Sequence, residues 1–287
     1  MRFAITGAAG MLGHDLVAAA NAAGHEALAF PRADLDITDG AAVTRALARS
    51  RPDVVVNSAA WTNVDGAETD EAGAQAVNGT GAGNVARAAS ACGAWTIHVS
   101  SDYVFDGRKG SPYVESDPVG PLSAYGRTKL AGERAVAAEA PDRHTTVRSS
   151  WLFGPGGPCF PATILRLANE RDTLKVVDDQ IGCPTYTGHL AEALVELAGR
   201  DERPVGIVHV AGGGSCSWFE FAREIVAGAG VRCEVRPCST EEFPRPAMRP
   251  ANGVLRSERG GEVPLLPEWR EGLARYMALT AREVGAV

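Results

Sequence analysis

No apolar run in this 287-residue chain approaches the roughly 20 residues that a membrane helix needs. The apolar stretch at the N-terminus is interrupted by Gly7, Gly10 and Gly13, and no secretory cleavage pattern follows it. Both absences point to a cytoplasmic protein without a membrane partner. Clusters of Lys and Arg are missing too, and the formal net charge is −7, which argues against a nucleic-acid partner. A small anionic substrate stays compatible, because it needs only a few well-placed donors. Cys92, Cys159, Cys183, Cys216, Cys233 and Cys238 are scattered without a C-x-x-C pair. Zinc-site spacing is therefore absent, and a disulfide framework does not suit a chain of this size and class. The histidines form no H-x-x-x-H pair, and no internal repeat or long low-complexity linker occurs.

Hydrophobic residues make up 45% of the chain, enough for one large domain or two intimate ones. Short apolar runs at 3–6, 27–30, 54–57, 96–99 and 146–149 read as strands buried on both faces. Ala-rich segments of helical length at 12–23, 40–50, 67–91 and 123–138 separate them. Strand alternating with helix implies right-handed crossovers, hence an α/β, Rossmann-type doubly wound parallel sheet. After residue 151 the rhythm loosens into a helix over 162–171, a strand over 174–177, a helix over 188–198, a strand over 206–210 and a last helix over 267–284. Pro- and Gly-rich loops around them suit a smaller C-terminal lobe closing over a cleft. The expected division is a dinucleotide-binding domain over 1–150 and a mainly substrate-binding lobe over 151–287. The strands near 174–177 and 206–210 are expected to extend the sheet of the first domain.

The first chemical motif is Gly7-Ala8-Ala9-Gly10-Met11-Leu12-Gly13, between the first strand and the first helix. Glycines allow a tight turn and close backbone approach, so a dinucleotide pyrophosphate can rest on the helix N-terminus. The end of the second strand should meet the adenosine ribose, and there the chain carries Arg32, Asp34, Asp36 and Ile37. Arg32 suits a 2′-phosphate and points to NADPH; Asp34 keeps NADH open. Asp36 and Ile37 fit a place beside the adenine, although Asp36 equally fits a turn or a helix cap.

Ser101 follows the fourth strand, and Tyr125 and Lys129 stand four apart on the next helix, sharing one face. Reducing a ketone needs a proton for the oxygen as hydride reaches the carbon. A free tyrosine, with a pKa near ~10, exchanges protons poorly at neutral pH. A neighbouring ammonium would stabilise its phenolate, and a shift of about two units corresponds to roughly 2.7 kcal/mol. Lys129 can also reach the nicotinamide ribose, and Ser101 can orient the carbonyl. A Tyr and a Lys at this spacing also occur by chance. The ordered set of glycine turn, Ser, Tyr and Lys is what points to catalysis.

Several stretches carry a resemblance to a known family: 51–57 with Trp61-Thr62-Asn63-Val64-Asp65, 101–107, 125–133, and Arg148-Ser149-Ser150-Trp151. The chain resembles an extended short-chain dehydrogenase/reductase, and more closely the dTDP-4-dehydrorhamnose reductase family. The resemblance implies that Gly10, Met11 and Leu12 line the pyrophosphate and that Ala60, Trp61 and Thr62 lie along the cofactor. It implies that Ser101 and Asp102 touch the sugar, that Tyr125 and Lys129 are catalytic, and that Trp151 packs against the substrate. Ser101 stands where the family often has Thr, and the hydroxyl is kept. Some relatives bind Mg²⁺ through carboxylates, one of them near Asp15, but spacing identifies no partners for it. A homodimer is a further family expectation. Arg249, followed by Pro250, suits phosphate oxygens and also suits a structural role.

With these residues, the resemblance implies NADPH-dependent reduction of the C4 keto group of a dTDP-4-keto-6-deoxyhexose, foremost dTDP-4-dehydrorhamnose to dTDP-L-rhamnose. A dehydratase or epimerase of the same superfamily is an alternative. A related dehydratase uses an Asp–Glu pair, whereas here Asp102 is followed by Tyr103. A non-catalytic NADP-binding regulatory subunit, like the β subunit of methionine adenosyltransferase, is another alternative, since fold does not dictate function.

Overall fold

In the computed structural model, which describes residues 1–284, β1 (Arg2–Thr6) leads through α1 (Met11–Ala22) to β2 (Glu26–Phe30). Next come α2 (Gly40–Ser50) and β3 (Val54–Asn57). The stretch expected as one helix over 67–91 is broken into α3 (Val64–Thr69), α4 (Glu71–Gln75), a π-helical turn (Ala76–Gly81) and α5 (Ala82–Ala91). Asp70 causes the first break: its backbone leaves helical geometry and its carboxylate accepts from Gly73 N, starting a new helix. The chain continues through β4 (Trp95–Ser101), a 3₁₀ turn (Asp102–Val104), α6 (Ala124–Glu139) and β5 (His144–Ser149). The second half contains β6 (Leu152–Phe153), α7 (Phe160–Glu170), β7 (Thr173–Val177), β8 (Ile181–Gly182), β9 (Thr185–Tyr186) and α8 (Thr187–Gly199). It closes with β10 (Gly206–His209), β11 (Cys216–Ser217), α9 (Trp218–Ala229), β12 (Glu234–Cys238) and α10 (Trp269–Val284).

Six parallel strands form the central sheet in the order β2-β1-β3-β4-β5-β10. Its residues explain why helices cover both faces. Phe3 and Ile5 of β1 pack with Leu16 of α1 and Leu190 and Leu194 of α8. Ala4, between them, points the other way, into a cluster with Val43 and Leu47 of α2 and Val85 of α5. A strand buried on both faces must be apolar throughout, and β3 reads Val-Val-Val before its terminal Asn57. The connections reverse direction between β1 and β3, so a ligand crevice is expected outside the carboxyl ends of these strands. Among the described residues no helix is long and apolar enough to cross a membrane.

Strand β10 joins the main sheet beside β5, as expected for 206–210. The strand near 174–177 does not: β7 pairs with β12 in a separate two-stranded sheet. The reason lies in its pattern, with Leu174 buried between exposed Thr173 and Lys175. Such one-sided burial suits a ribbon laid on α7 and α9, not a strand covered on both faces. That ribbon covers a second core built from Phe153, Tyr186, Phe221, Trp269 and Leu273.

One buried ion pair joins β5 to α6. Arg148 Nη2 lies 2.7 Å from Glu133 Oε2, and Nε lies 2.8 Å from Oε1. Their side chains are 2% and 4% exposed. Ser100 of β4 donates to the same Oε1 at 2.6 Å, and the guanidinium rests 4.9 Å from the centre of the Phe105 ring. Removing one partner of such a pair strands a buried charge, so Arg148→Met should cost about 3–5 kcal/mol. Glu133→Leu combined with Arg148→Met should recover part of that loss. Urea unfolding of the three proteins measures both effects; a single-variant loss below about 1 kcal/mol would mean the pair behaves like a surface one.

Candidate active site

The site begins at the glycine turn after β1. Gly7 has φ of +70°, a conformation that side chains rarely adopt, and a Cβ at Gly13 would fall 2.2 Å from the Gly7 carbonyl oxygen. The first turn of α1 therefore lies directly against the loop. Gly10 caps this helix with no side-chain acceptor, and no acidic residue occupies the first turn. The N–H groups at Met11 and Leu12 are left for an anion, on which the helix dipole also acts favourably.

A cleft of 450 Å³ runs from this turn across the carboxyl ends of the strands. Gly7, Gly10, Met11, Leu12, Gly13, Arg32, Asp36, Ile37, Ala60, Trp61, Thr62, Tyr125 and Lys129 all line it. The cofactor-side residues singled out in the sequence are thus brought to one cavity. Arg32 is largely exposed, 3.9 Å from Asp36, so its guanidinium is available to a ligand at the rim. Asp36 does take the turn role: Thr38 donates to it from both backbone and hydroxyl, which holds its pKa below the ordinary value.

Sequence reasoning missed Asn78. From the π-helical turn, its carboxamide accepts from Trp61 N at 2.8 Å and donates to Thr128 Oγ1 at 3.0 Å. The Trp61 segment of the cleft is thereby tied to α6. The signal available was the run of glycines at 73, 79, 81 and 83 inside an apparent helix.

At the other end of the cleft, Ser123 caps α6 by accepting from Gly126 N. A Cβ at Gly126 would fall 2.2 Å from the Tyr103 carbonyl oxygen, so the absence of a side chain lets the helix press onto the turn after β4. Tyr125 is thereby set edge-on to Tyr103, with ring centres 5.3 Å apart and planes at 84°. Ser101 Oγ donates to Asp102 Oδ1 at 3.0 Å and lies close enough to the Tyr125 phenol to favour its ionised form weakly. Buried Ser101 and Asp102 and half-buried Tyr125 therefore form one polar cluster.

Burial governs its electrostatics. Desolvation, followed by the Asp102 charge, pushes the Tyr125 pKa up to about 12, against the weaker pull of Ser101. The expected lowering by Lys129 is not seen. Its ammonium donates instead to the Val99 carbonyl at 2.7 Å, and its own pKa is brought down to about 8 by burial. Asp102 is pushed up to about 7 by burial, and its Oδ2 has no hydrogen-bond partner. Gly253 leaves room there: a Cβ would sit 2.4 Å from Oδ2.

The remaining candidates separate. Trp151 has φ of +49° and stacks on Trp218, ring centres 3.4 Å apart, with Gly182 also against its ring. Trp218, which sequence reading passed over, thus occupies one face of the proposed substrate wall. Arg249 turns inward, donating to Asp65 and to the Ala247 carbonyl. Asp15 lies 3.4 Å from His14, and among the described residues no group of three or more His, Cys, Asp or Glu is gathered to hold a metal. The arrangement gives Mg²⁺ no support.

A family description, RmlD substrate binding domain, matches residues 1–282. A dTDP-4-dehydrorhamnose reductase of Streptomyces griseus is 45% identical, covering 98% of this chain and 95% of that protein. One from Mycolicibacterium smegmatis is 46% identical, covering 96% and 85%. The crystal structure of dTDP-4-dehydrorhamnose reductase from Bacillus anthracis in complex with NADP superposes with a TM-score of 0.93, at 38% identity, covering 97% of this chain and 99% of that one.

Asp102 offers a direct test of the electrostatics. Its folded-state pKa, about 7, lies above the ordinary 3.8, so the native state holds the proton more tightly than the unfolded state. Stability is then lost as pH rises through that interval. Asp102→Asn, neutral throughout, should gain on the native protein in thermal unfolding as pH goes from 5 to 8. A variant-minus-native midpoint that stays constant or falls over that range would contradict the assignment.

Proposed function

The chain belongs to the RmlD substrate binding domain family, and from that premise we propose that it reduces the C4 keto group of a dTDP-4-keto-6-deoxyhexose with NADPH. The foremost substrate is dTDP-4-dehydrorhamnose, giving dTDP-L-rhamnose. One observation carries this reading. A half-buried tyrosine, held in its protonated form, stands at one end of a cleft whose other end is an uncapped helix N-terminus.

The residues fit the cofactor. Gly7 and Gly13 let the loop close on the Ala59 backbone and on α1, which brings the loop and the helix N-terminus to the cleft, and the α1 N–H groups suit a pyrophosphate. Arg32 suits the 2′-phosphate that separates NADPH from NADH. When bound, the cofactor supplies the hydride.

The protein's own groups handle the proton and the geometry. Reduction turns the C4 oxygen into an alkoxide, which needs a proton donor in its acid form. With a pKa near 12, Tyr125 is fully protonated at neutral pH and serves as that donor. An alkoxide is more basic still, so the transfer runs downhill. Ser101, beside Tyr125, orients the carbonyl. Lys129, fixed on the Val99 carbonyl, keeps a largely positive charge at neutral pH and suits a ribose hydroxyl. The free cysteines fit a reducing compartment, the cytoplasm. The dehydratase reading is disfavoured by Tyr103, whose phenol is pushed above its ordinary pKa by burial and cannot replace a carboxylate.

Absorbance at 340 nm tests the reading, using NADPH or NADH and enzymatically generated dTDP-4-dehydrorhamnose. Tyr125→Phe should lower kcat by about 10²–10⁴-fold while NADPH binding persists. No oxidation by the native protein, with cofactor binding shown separately, would sink the substrate assignment. In the same assay Arg32→Ala should weaken NADPH about tenfold and leave NADH nearly unchanged, since it removes a single charge-assisted contact; equal losses for both cofactors would remove Arg32 from phosphate recognition.

A further inference from the structure

Donors from the far end of the chain converge on Asp65, in the first turn of α3. Arg249 contributes Nη1 at 2.8 Å to one oxygen and Nη2 at 3.0 Å to the other. Arg245 contributes Nε at 3.0 Å and Nη2 at 2.6 Å, and Ala247 contributes its N–H at 3.1 Å. The Asp65 and Arg249 side chains are 18% and 17% exposed, whereas Arg245 is 48% exposed. A forked, largely covered pair differs from an ordinary surface bridge, which contributes little.

Arg249 does not end on Asp65. Its guanidinium also lies close enough to the Tyr103 phenol for the two to interact electrostatically, and the Tyr103 ring meets Tyr125 edge to face. The helix carrying Asp65 touches the donor helix a second time, because Glu68 Oε1 accepts from Ala124 N at 2.8 Å, next to Tyr125. Asp65, Arg249, Tyr103 and Tyr125 thus form a continuous chain from the C-terminal loop to the reacting phenol.

We propose that Asp65 is a positioning residue for the proton donor, holding Arg249 against Tyr103 so that the Tyr103 ring fixes that of Tyr125. Without the carboxylate, Arg249 loses both arms of its fork, and its uncompensated charge turns to solvent and away from Tyr103. The inference builds on the reductase reading and assigns Arg249 to support of the phenol, leaving phosphate contact to other groups. Arg245 is the internal control, since it binds the same carboxylate without reaching the tyrosines.

With only five tyrosines in the chain, ¹³Cε-tyrosine labelling resolves each ring by NMR. Asp65→Asn and Arg249→Gln should each move the Tyr103 and Tyr125 resonances, and Arg245→Gln should leave both in place. In the 340 nm assay the first two variants should lose roughly ten- to a hundredfold in kcat, with the KM for NADPH within about twofold of native. The double variant should be no slower than Arg249→Gln, because the two residues act as one unit. An unmoved Tyr125 resonance, an unchanged kcat, or losses that multiply would overturn the proposal. If Asp65→Asn fails to fold, Arg249→Lys, which keeps the charge and loses the fork, must move both resonances or the proposal falls. Absence of turnover in the native protein would count against the reductase reading alone, because the ring shifts still judge the positioning.

Discussion

Everything at the reacting end of the cleft depends on how closely α6 can approach the end of β4. Gly126 admits the Tyr103 carbonyl and Gly132 admits the Asn78 carbonyl, each at a distance that any side chain would forbid. Tyr125, Lys129 and Glu133 follow at helical spacing along the same face. Each meets a different part of the strand: Ser101 for the phenol, the Val99 carbonyl for the ammonium, Ser100 for the carboxylate. Glu133 then carries the contact through Arg148 into β5. The catalytic face of the helix is pinned at successive turns, so the phenol inherits the rigidity of the sheet.

That close packing also decides the charge state of the site. Burial favours the neutral form of every titratable group, and it outweighs the specific partners: Tyr125 and Asp102 rise and Lys129 falls. A phenolate stabilised by a neighbouring ammonium is the attractive picture when only a Tyr-x-x-x-Lys spacing is in view. The folded arrangement answers a different requirement. In reduction the tyrosine must begin protonated, and an environment hostile to its anion keeps it so. Asp102 reinforces this whenever it is charged, because a second negative charge beside it is disfavoured.

Local pattern made much of this legible in the sequence. The glycine turn, the apolar strands and the Ser, Tyr and Lys in order all come from interactions within a strand–helix unit, and periodicity reports such units directly. What escaped depends on contacts that no local window contains. The π-helical turn over Ala76–Gly81 looks helical in composition, yet its Asn78 is specified by Trp61 and Thr128. Strand β7 looked like a sheet extension until β12 proved to be its partner, although its alternating burial was written in Leu174 and Lys175. Trp218 acquires meaning only by stacking on Trp151, and Asp65 only through arginines 180 and more positions away.

The two ends of the cleft therefore differ in how they are encoded. The dinucleotide end is local, since one turn and one helix terminus create most of it. The sugar end is assembled from distant backbone. Asn252 N donates to Gly107 O and Gly253 N to Ile181 O, while Tyr113 N donates to Val254 O. These bonds lay the 250–255 segment across the 3₁₀ turn that carries Asp102, and Gly107, at φ of +70°, leaves room for Pro250. A local motif can change little without losing the cofactor, whereas a surface held by returning loops can be reshaped one loop at a time. The loops around 107, 181 and 250 are held by such returning bonds, whereas the α1 and α6 termini are set within single strand–helix units. The same division leaves a scaffold of local units free to carry differently shaped loops at that end of the cleft.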